Sequence, residues 1–453
     1  MESHTDKSVA PKGFARTKMR LAPKRGMLIL GIITLSIFVL LALSFSYRAI
    51  FIAFNILSLF VFVTYLVMWF EGAHKEHLPP RPDKWPAVSL VIPSFNSGHT
   101  IFECIEACKK LRYGGEKEII VVDDGSTDGS YEKLKGVSGI KLLHKEKNAG
   151  KAAALNMGIA HAKGAIIGNV DSDTYPEAHA LENAVRYFIE NDKVGAVVLF
   201  ICVANPRGIL AKMQEIEYWV SFGFFFKANS FMDSLYVTPG PTTLYRRAAF
   251  DQLGGFDEKN ITEDMEMALR MQKAGWKLRA YHSAIAFTEV PTTLSALMRQ
   301  RIRWFRGGLM NLLKYHELIF NPRYNLLGIF VMPVILISGT LTALFVFWTI
   351  LMNARHLLNY ALAMLVNPDI VWLTITHFRL PSILSVDSMF IFAVGAMILW
   401  LYFLSEGIKL SRKKFRADSL PALFMMIFFF PVFVGAAYFV AYALEFSGRE
   451  YKW

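Results

Sequence analysis

A chain of 453 residues that is 54% hydrophobic yet carries 49 basic and 37 acidic side chains is too apolar for an ordinary soluble enzyme; the mixture implies membrane spans joined to a soluble domain. Cys104, Cys108 and Cys202 leave an odd thiol after any single bridge, and no other Cys or His stands at zinc-site spacing, which excludes a disulfide framework and favours a reduced cytosolic setting. The net charge of +12 collects beside apolar stretches and accompanies no nucleic-acid motif, so anionic membrane lipid is the expected partner and nucleic acid is not.

Residues 1–26 are polar and basic and read as a cytoplasmic tail. Within residues 27–70, Met27 to Tyr47 and about Ile50 to Phe70 are each long enough to cross a bilayer, with Arg48 between them. The excess of positive charge in the tail puts it inside, and returns everything after Glu71 to the cytoplasm. Residues 71–86 form a linker stiffened by Pro79, Pro80, Pro82 and Pro86.

Residues 87–290 change character. Strands are expected at Val88–Ile92, Glu118–Val122, Ile140–Leu143, Ala165–Val170 and Val194–Val203, alternating with helices near 99–112, 150–163 and 176–190. That rhythm predicts an α/β domain with a mostly parallel sheet covered by helices on both faces. Residues 291–320 form an amphipathic helix at the membrane surface, and the aromatic run Trp219–Phe231 a second interfacial one. In residues 321–453, spans are expected at Leu326–Met352, Ser388–Ile408 and Leu420–Leu444, making five in all. The loop carrying Lys409, Arg412, Lys413, Lys414 and Arg416 is cytoplasmic, which leaves 353–385 outside.

The chemistry centres on Asp171-Ser172-Asp173, at the carboxyl end of the strand Ala165–Val170. Ligands of α/β sheets bind at that edge, although Asp-x-Asp taken alone suits a helix N-cap as well. These carboxylates are hard ligands suited to Mg²⁺ or Mn²⁺ bridging a diphosphate. Pro93-Ser94-Phe95-Asn96 ends the first strand and Asp123-Asp124-Gly125-Ser126-Thr127-Asp128 the second. Each alone reads as a turn; together they set an aromatic ring and acceptors where a uracil base would fit. Asn148-Ala149-Gly150-Lys151 opens a helix whose N-terminus and lysine suit a diphosphate. In Thr262-Glu263-Asp264, Thr262 is a natural N-cap, and Asp264 is the candidate general base. Leu294, Met298, Ile302, Phe305, Leu309 and Leu312 make an apolar stripe, Arg299, Arg303 and Arg306 a basic one, and Gln300, Trp304 and Gly308 a third beside it. The arginines and the indole are expected to face the soluble domain.

The ordered set P-S-F-N, D-D-G-S-T-D, N-A-G-K-A-A-A-L-N, D-S-D, P-G-P-T-T-L-Y-R-R, T-E-D and Q-R-I-R-W resembles the membrane-integrated family 2 glycosyltransferases, the group of hyaluronan, chitin, cellulose and poly-N-acetylglucosamine synthases. The motifs cover residues 87 to about 315. The resemblance implies a GT-A fold between transmembrane helices, in the plasma membrane with its catalytic domain cytoplasmic, and inverting transfer from a UDP-sugar to a polysaccharide or glycolipid acceptor. It assigns Phe95 and Asn96 to the nucleotide, Asp123 or Asp124 to uridine, Lys151 to the diphosphate, and Asp171 and Asp173 to the metal. Asp264 becomes the base, and Gln300, Arg303 and Trp304 hold donor diphosphate and acceptor sugar. Gly240 to Arg247 is similar to the acceptor-side segment of the chitin and hyaluronan branch. Ser97, where many relatives carry Glu, is the one departure noted.

Overall fold

The computed structural model describes residues 47–72, 77–367 and 388–447, with positions 369, 372 and 376 between the last two blocks. The expected span at Met27–Tyr47 lies, but for Tyr47 itself, outside the described residues, as do the tail and the chain end. In chain order the elements are α1 (Tyr47–Glu71), β1 (Val88–Ser94), α2 (Ile101–Lys109), β2 (Lys117–Asp123), α3 (Ser130–Leu134), β3 (Lys141–His144), α4 (Lys151–His161), β4 (Ile166–Val170), β5 (Thr174–Pro176) and α5 (Ala180–Glu190). There follow β6 (Val194–Val203), α6 (Gly208–Val220), α7 (Phe226–Phe231), β7 (Thr242–Arg246), α8 (Arg247–Leu253), α9 (Glu263–Lys273), β8 (Lys277–Thr288) and α10 (Leu294–Lys314). The membrane part is α11 (Met332–Val366), α12 (Ser388–Ser411), α13 (Leu420–Phe428) and α14 (Phe430–Phe446).

All eight strands join one sheet in the order β3-β2-β1-β4-β7-β6-β8-β5. The first four are parallel neighbours, and β8 runs parallel to β6, as the alternation of strand and helix predicts. The mixed part comes from β7, which inserts antiparallel between β4 and β6, and from β5, antiparallel to β8. Ser94 stands opposite Asp123 in the β1–β2 register, so the loops after β1, β2 and β4 all emerge on one edge. That edge is where parallel sheets gather polar groups, because the strand interiors are buried on both faces.

Alternate residues of the strands feed two cores. Leu90, Ile92 and Val121 pack on one face against Ile105 of α2 and Phe188 of α5. Val91 and Ile120 pack on the other against Leu155 of α4 and Met267 of α9. A third core joins the domain to the spans: Trp69 of α1, Trp219 of α6, Leu297 and Leu312 of α10 and Phe403 of α12 share it.

Among the described residues three helical stretches are long and apolar enough to cross a membrane, Phe54–Glu71, Leu327–Val366 and Ile391–Ser411, or four if the bent pair α13–α14 is one span. Two differ from the sequence-based expectation. The expected straight span at Leu420–Leu444 is broken, with a 46° bend between α13 and α14. Pro431, in the first turn of α14, removes an amide donor and its ring crowds the carbonyl four residues back, which kinks a helix. The helix expected to end at Met352 continues unbroken to Val366. At 1.5 Å per residue α11 is about 50 Å long against a hydrocarbon core of about 30 Å. The polar residues of its last part, Asn353, Arg355 and His356, are exposed, consistent with a helix that emerges from the bilayer.

Candidate active site

The residues singled out along the sequence fall into two neighbouring groups, one under the sheet edge and one at the membrane face. Under the edge, Asn96 is held in a left-handed conformation (φ 50°) and ties the β1 loop to the β2 loop. Its amide oxygen accepts from Thr127 N at 2.8 Å, and its N–H donates to Ser126 Oγ at 2.9 Å. Its side chain therefore joins the two loops at the sheet edge. Phe95 beside it is 46% exposed, a ring left free on the surface.

The two adjacent aspartates divide their work. Asp124 accepts from the backbone of Ala149 and Gly150 and pairs with Lys145 at 3.0 Å, so it holds the loop that opens α4. Asp123 accepts from Ser126 N and from His144 Nδ1 at 2.9 Å through one oxygen, while its other oxygen is buried without a hydrogen-bond partner. Sequence left these two aspartates as alternatives, and the geometry gives the free acceptor to Asp123. His144, stacked on Tyr131 with centroids 3.8 Å apart, is a neighbour that sequence reasoning missed. Its position at the end of the edge strand β3 was the only available signal.

Gly150, at φ +92°, turns the chain into α4 and presents Lys151. Its Nζ lies 2.5 Å from Asp171 and 3.6 Å from Glu263, joining the loop after β4 to the start of α9. Burial lowers the affinity of this ammonium for its proton, but Asp171, Glu263 and Asp264 together raise it above the ordinary lysine value. Glu263, 3% exposed, is pushed up by burial and by Asp264, with Lys151 opposing. Gly240 lies against this pair: a Cβ there would crowd Lys151 Nζ and stand 2.9 Å from Asp171 Oδ2.

Burial, and then Asp171, push the Asp173 carboxyl up to about 6. A buried carboxylate raised by a charged neighbour is suited to a divalent cation, and Mg²⁺ commonly takes one or two carboxylates with substrate phosphates completing its shell. Among the described residues no group of three His, Cys, Asp or Glu side chains is arranged around a metal position. Asp171 and Asp173 are the pair of carboxylates here that fits such an ion together with a substrate phosphate.

Thr262 occupies the N-cap position of α9, but its side chain does not cap the helix, contrary to expectation. Its hydroxyl instead accepts from Asn311 Nδ2 of α10 at 3.0 Å, and Asn260 Nδ2 donates to Asn311 Oδ1 at 2.7 Å. This network seats α10 on the loop that bears Asp264. Thr238 Oγ1 donates to the carbonyl of Asp264 at 2.8 Å and fixes it from the other side.

The orientation of α10 is not that of a helix with one basic face. Among the described residues Arg303 reaches only the carbonyl of Ile261, at 3.5 Å, whereas Arg306 forks onto Glu445 of α14 at 3.0 Å. Arg301, outside the expected stripe, is among the most buried, on Glu217 of α6 at 2.6 Å. The helix is enclosed on several faces, so Arg301 and Arg306 pair with carboxylates of different elements. The segment Gly240–Arg247 also divides: Gly240 and Pro241 reach the site, whereas Arg246 and Arg247 bind backbone carbonyls such as Phe188 and Gly164 at the opposite end of the domain.

Lys151, Asp171, Asp173, Asp264, Gln300, Arg303 and Trp304 all border one cavity of about 860 Å³. Asp171 and Asp264 therefore share a cleft despite their separation along the chain. Phe95, Asn96, Asp123 and Asp124 lie outside this cavity, on the neighbouring sheet edge. The cavity extends into the membrane part, where Phe54 and Leu57 of α1, Val334 and Ile337 of α11, and Tyr438 and Tyr442 of α14 form its walls.

Residues 89–254 match the family model described as Glycosyl transferase family 2. The chain is 28% identical over 259 residues to a poly-beta-1,6-N-acetyl-D-glucosamine synthase of Staphylococcus aureus, covering 56% of this chain and 63% of that protein. It is 31% identical over 224 residues to the synthase of the same name from Staphylococcus epidermidis, covering 49% of this chain and 54% of that one. It thus spans less than two thirds of the length of these relatives. Among solved structures it is similar to a mannosyltransferase from Pyrobaculum calidifontis in complex with GDP-Man and Mn²⁺, with a TM-score of 0.52, 23% identity, and coverage of 78% of this chain and 98% of that one. That likeness bears out the GT-A-like fold.

Proposed function

Because the chain carries a glycosyl transferase family 2 domain, we propose that it is an inverting membrane enzyme that moves a sugar from a UDP-sugar to a growing polysaccharide and passes the product outward between its spans. The observation that carries this reading is the single cavity running from the acid cluster to the walls of α1, α11 and α14. A site that transferred one sugar to a soluble acceptor would have no use for a continuation into the membrane part. The names of the staphylococcal relatives make N-acetylglucosamine the first sugar to test.

In this reading Phe95 stacks on the base and the free oxygen of Asp123 accepts its N–H. Lys151 and Arg303 face the diphosphate, and Asp171 with Asp173 would hold the Mg²⁺ or Mn²⁺. Such an ion, when bound, neutralises charge on the leaving group. The acceptor sugar rests on Trp304, and Asp264 takes the proton of its attacking hydroxyl as the bond to the anomeric carbon forms on the face opposite the departing UDP. Inversion follows from a single displacement. The plasma membrane location with the catalytic domain inside belongs to the same proposal, since the donor would be cytoplasmic.

The apolar wall at Phe54, Leu57, Val334 and Ile337 also suits the tail of a lipid acceptor, which gives a second reading in which one sugar is added to a glycolipid. Incubating membranes that contain the protein with radiolabelled UDP-sugars and sizing the product decides between them. A polymer that resists lipid extraction is expected; a single sugar on extractable lipid favours the second reading, and no UDP release from any donor overturns both.

A further inference from the structure

Arg301 and Glu217 form a buried pair to which the reaction described above gives no part. Their side chains are 3% and 19% exposed, and Glu217 owes its larger figure to the cavity, which it borders. Arg301 Nη2 donates to Glu217 Oε2 at 2.6 Å. The same guanidinium carbon lies 4.2 Å from the ring centre of Trp304 and 5.8 Å from that of Phe430, the first residue of α14. Three elements therefore meet at one cation: α6 supplies the carboxylate, α10 the arginine and indole, and α14 the flanking ring.

A guanidinium stacked on an indole restrains the ring, and Arg does this where Lys cannot, because its charge is spread over a plane. The carboxylate in turn decides where the guanidinium sits. We propose that Glu217 is a positioning residue: by anchoring Arg301 it fixes the plane of Trp304, so that the indole meets the acceptor sugar with the face that Arg301 does not cover. This rests on the reading of Trp304 as the acceptor platform. The pair also explains why α6, which carries none of the transfer residues, borders the cavity.

A buried pair has structural consequences of its own, since removing one partner strands the other charge, whereas neutralising both does not. The test separates the two effects with the full-length protein in detergent. Glu217→Gln, the double variant Glu217→Gln with Arg301→Gln, and Arg301→Lys are compared for thermal midpoint, for UDP release from UDP-N-acetylglucosamine alone, and for stimulation of that release by a β-1,6-linked N-acetylglucosamine oligosaccharide. Glu217→Gln is expected to lower the midpoint, and the double variant and Arg301→Lys to bring it back close to the parent. All three should release UDP from donor alone at the parent rate yet need on the order of tenfold more oligosaccharide for half-maximal stimulation, as expected for loss of a stacked contact. Parent-like half-saturation in the double variant or in Arg301→Lys overturns the proposal while leaving the acceptor reading intact. A parent protein that releases UDP but ignores the oligosaccharide overturns the acceptor reading, and this proposal with it.

Discussion

Lys151 and Asp264 carry the sharpest consequences of the residue-scale geometry. Lys151 offsets the charge of Asp171 and Glu263 at 2.5 Å and 3.6 Å, so Lys151→Met leaves two acids crowded in a buried cleft. Destabilisation of roughly 1–3 kcal/mol is expected from the stranded groups, read as a lower thermal midpoint in detergent. Transfer should fall on the order of 100-fold as donor charge loses its counterpart. A variant with unchanged midpoint and rate would remove Lys151 from the diphosphate site. Asp264→Asn tests a different step, because the amide keeps the size of the carboxylate but cannot take a proton. Transfer should drop by roughly 10²–10⁴-fold, while UDP binding measured by calorimetry stays within about twofold, because the nucleotide groups after β1 and β2 are untouched. Normal turnover would move the base elsewhere in the cleft, with the buried Glu263 next in line.

At the scale of elements, the decisive contact is between α10 and the loop before α9. Gly307 lies against Thr262 so closely that a Cβ would stand 2.8 Å from the Thr262 Cβ, and the Asn260–Asn311–Thr262 network fixes the same junction. Gly307→Ala must push α10 away from Thr262, which is β-branched and cannot rotate clear. The expected cost is about 1–3 kcal/mol, and the loss of transfer should exceed what the lower midpoint explains, because Asp264 and Trp304 separate as the junction opens. Activity measured well below the midpoint checks this; full activity there would mean that α10 tolerates the shift. The order of the motifs along the chain made Asp171, Asp264 and Trp304 legible as one site, and the strands β1, β2 and β4 were legible from their apolar β-branched runs. This junction was not, because Thr262 reads as an N-cap and its partner Asn311 lies 49 residues further along the chain. The strand β7 escaped for a related reason. Thr242–Arg246 lacks a long apolar run, and its place between β4 and β6 is set by pairing partners distant in sequence. The pairing of Arg301 and Arg306 likewise depends on Glu217 and Glu445, far away along the chain, which helical periodicity cannot reveal.

For the molecule as a whole, the question is whether the sheet domain can exist without the membrane part. Trp219 and Phe224 are 2% and 0% exposed, and they owe this to the spans: Phe224 stacks on Trp69 of α1 at 4.8 Å and on Phe403 of α12 at 4.0 Å. Gly223 meets Gly407 so closely that a Cβ would stand 2.5 Å from the Gly407 Cα, leaving no room for lipid between the two backbones. Ion pairs cross the same boundary, Arg306 to Glu445 and Lys212 to Asp418. Each buried aromatic hides roughly 150–250 Å², so a truncated chain of residues 77–320 would bare an apolar patch of several hundred Å² and break the Glu445 pair of the helix that bears Trp304. Patches of that size drive association in water. The truncated chain is therefore expected to aggregate without detergent, and to release no UDP even when detergent keeps it dispersed, because the wall of the cavity formed by α1, α11 and α14 is missing. Size-exclusion chromatography with and without detergent, followed by the UDP-release assay, gives the answer. A monodisperse, active fragment in plain buffer would mean that the membrane part anchors the enzyme without completing it, and that the cavity's continuation between the spans is not needed for transfer.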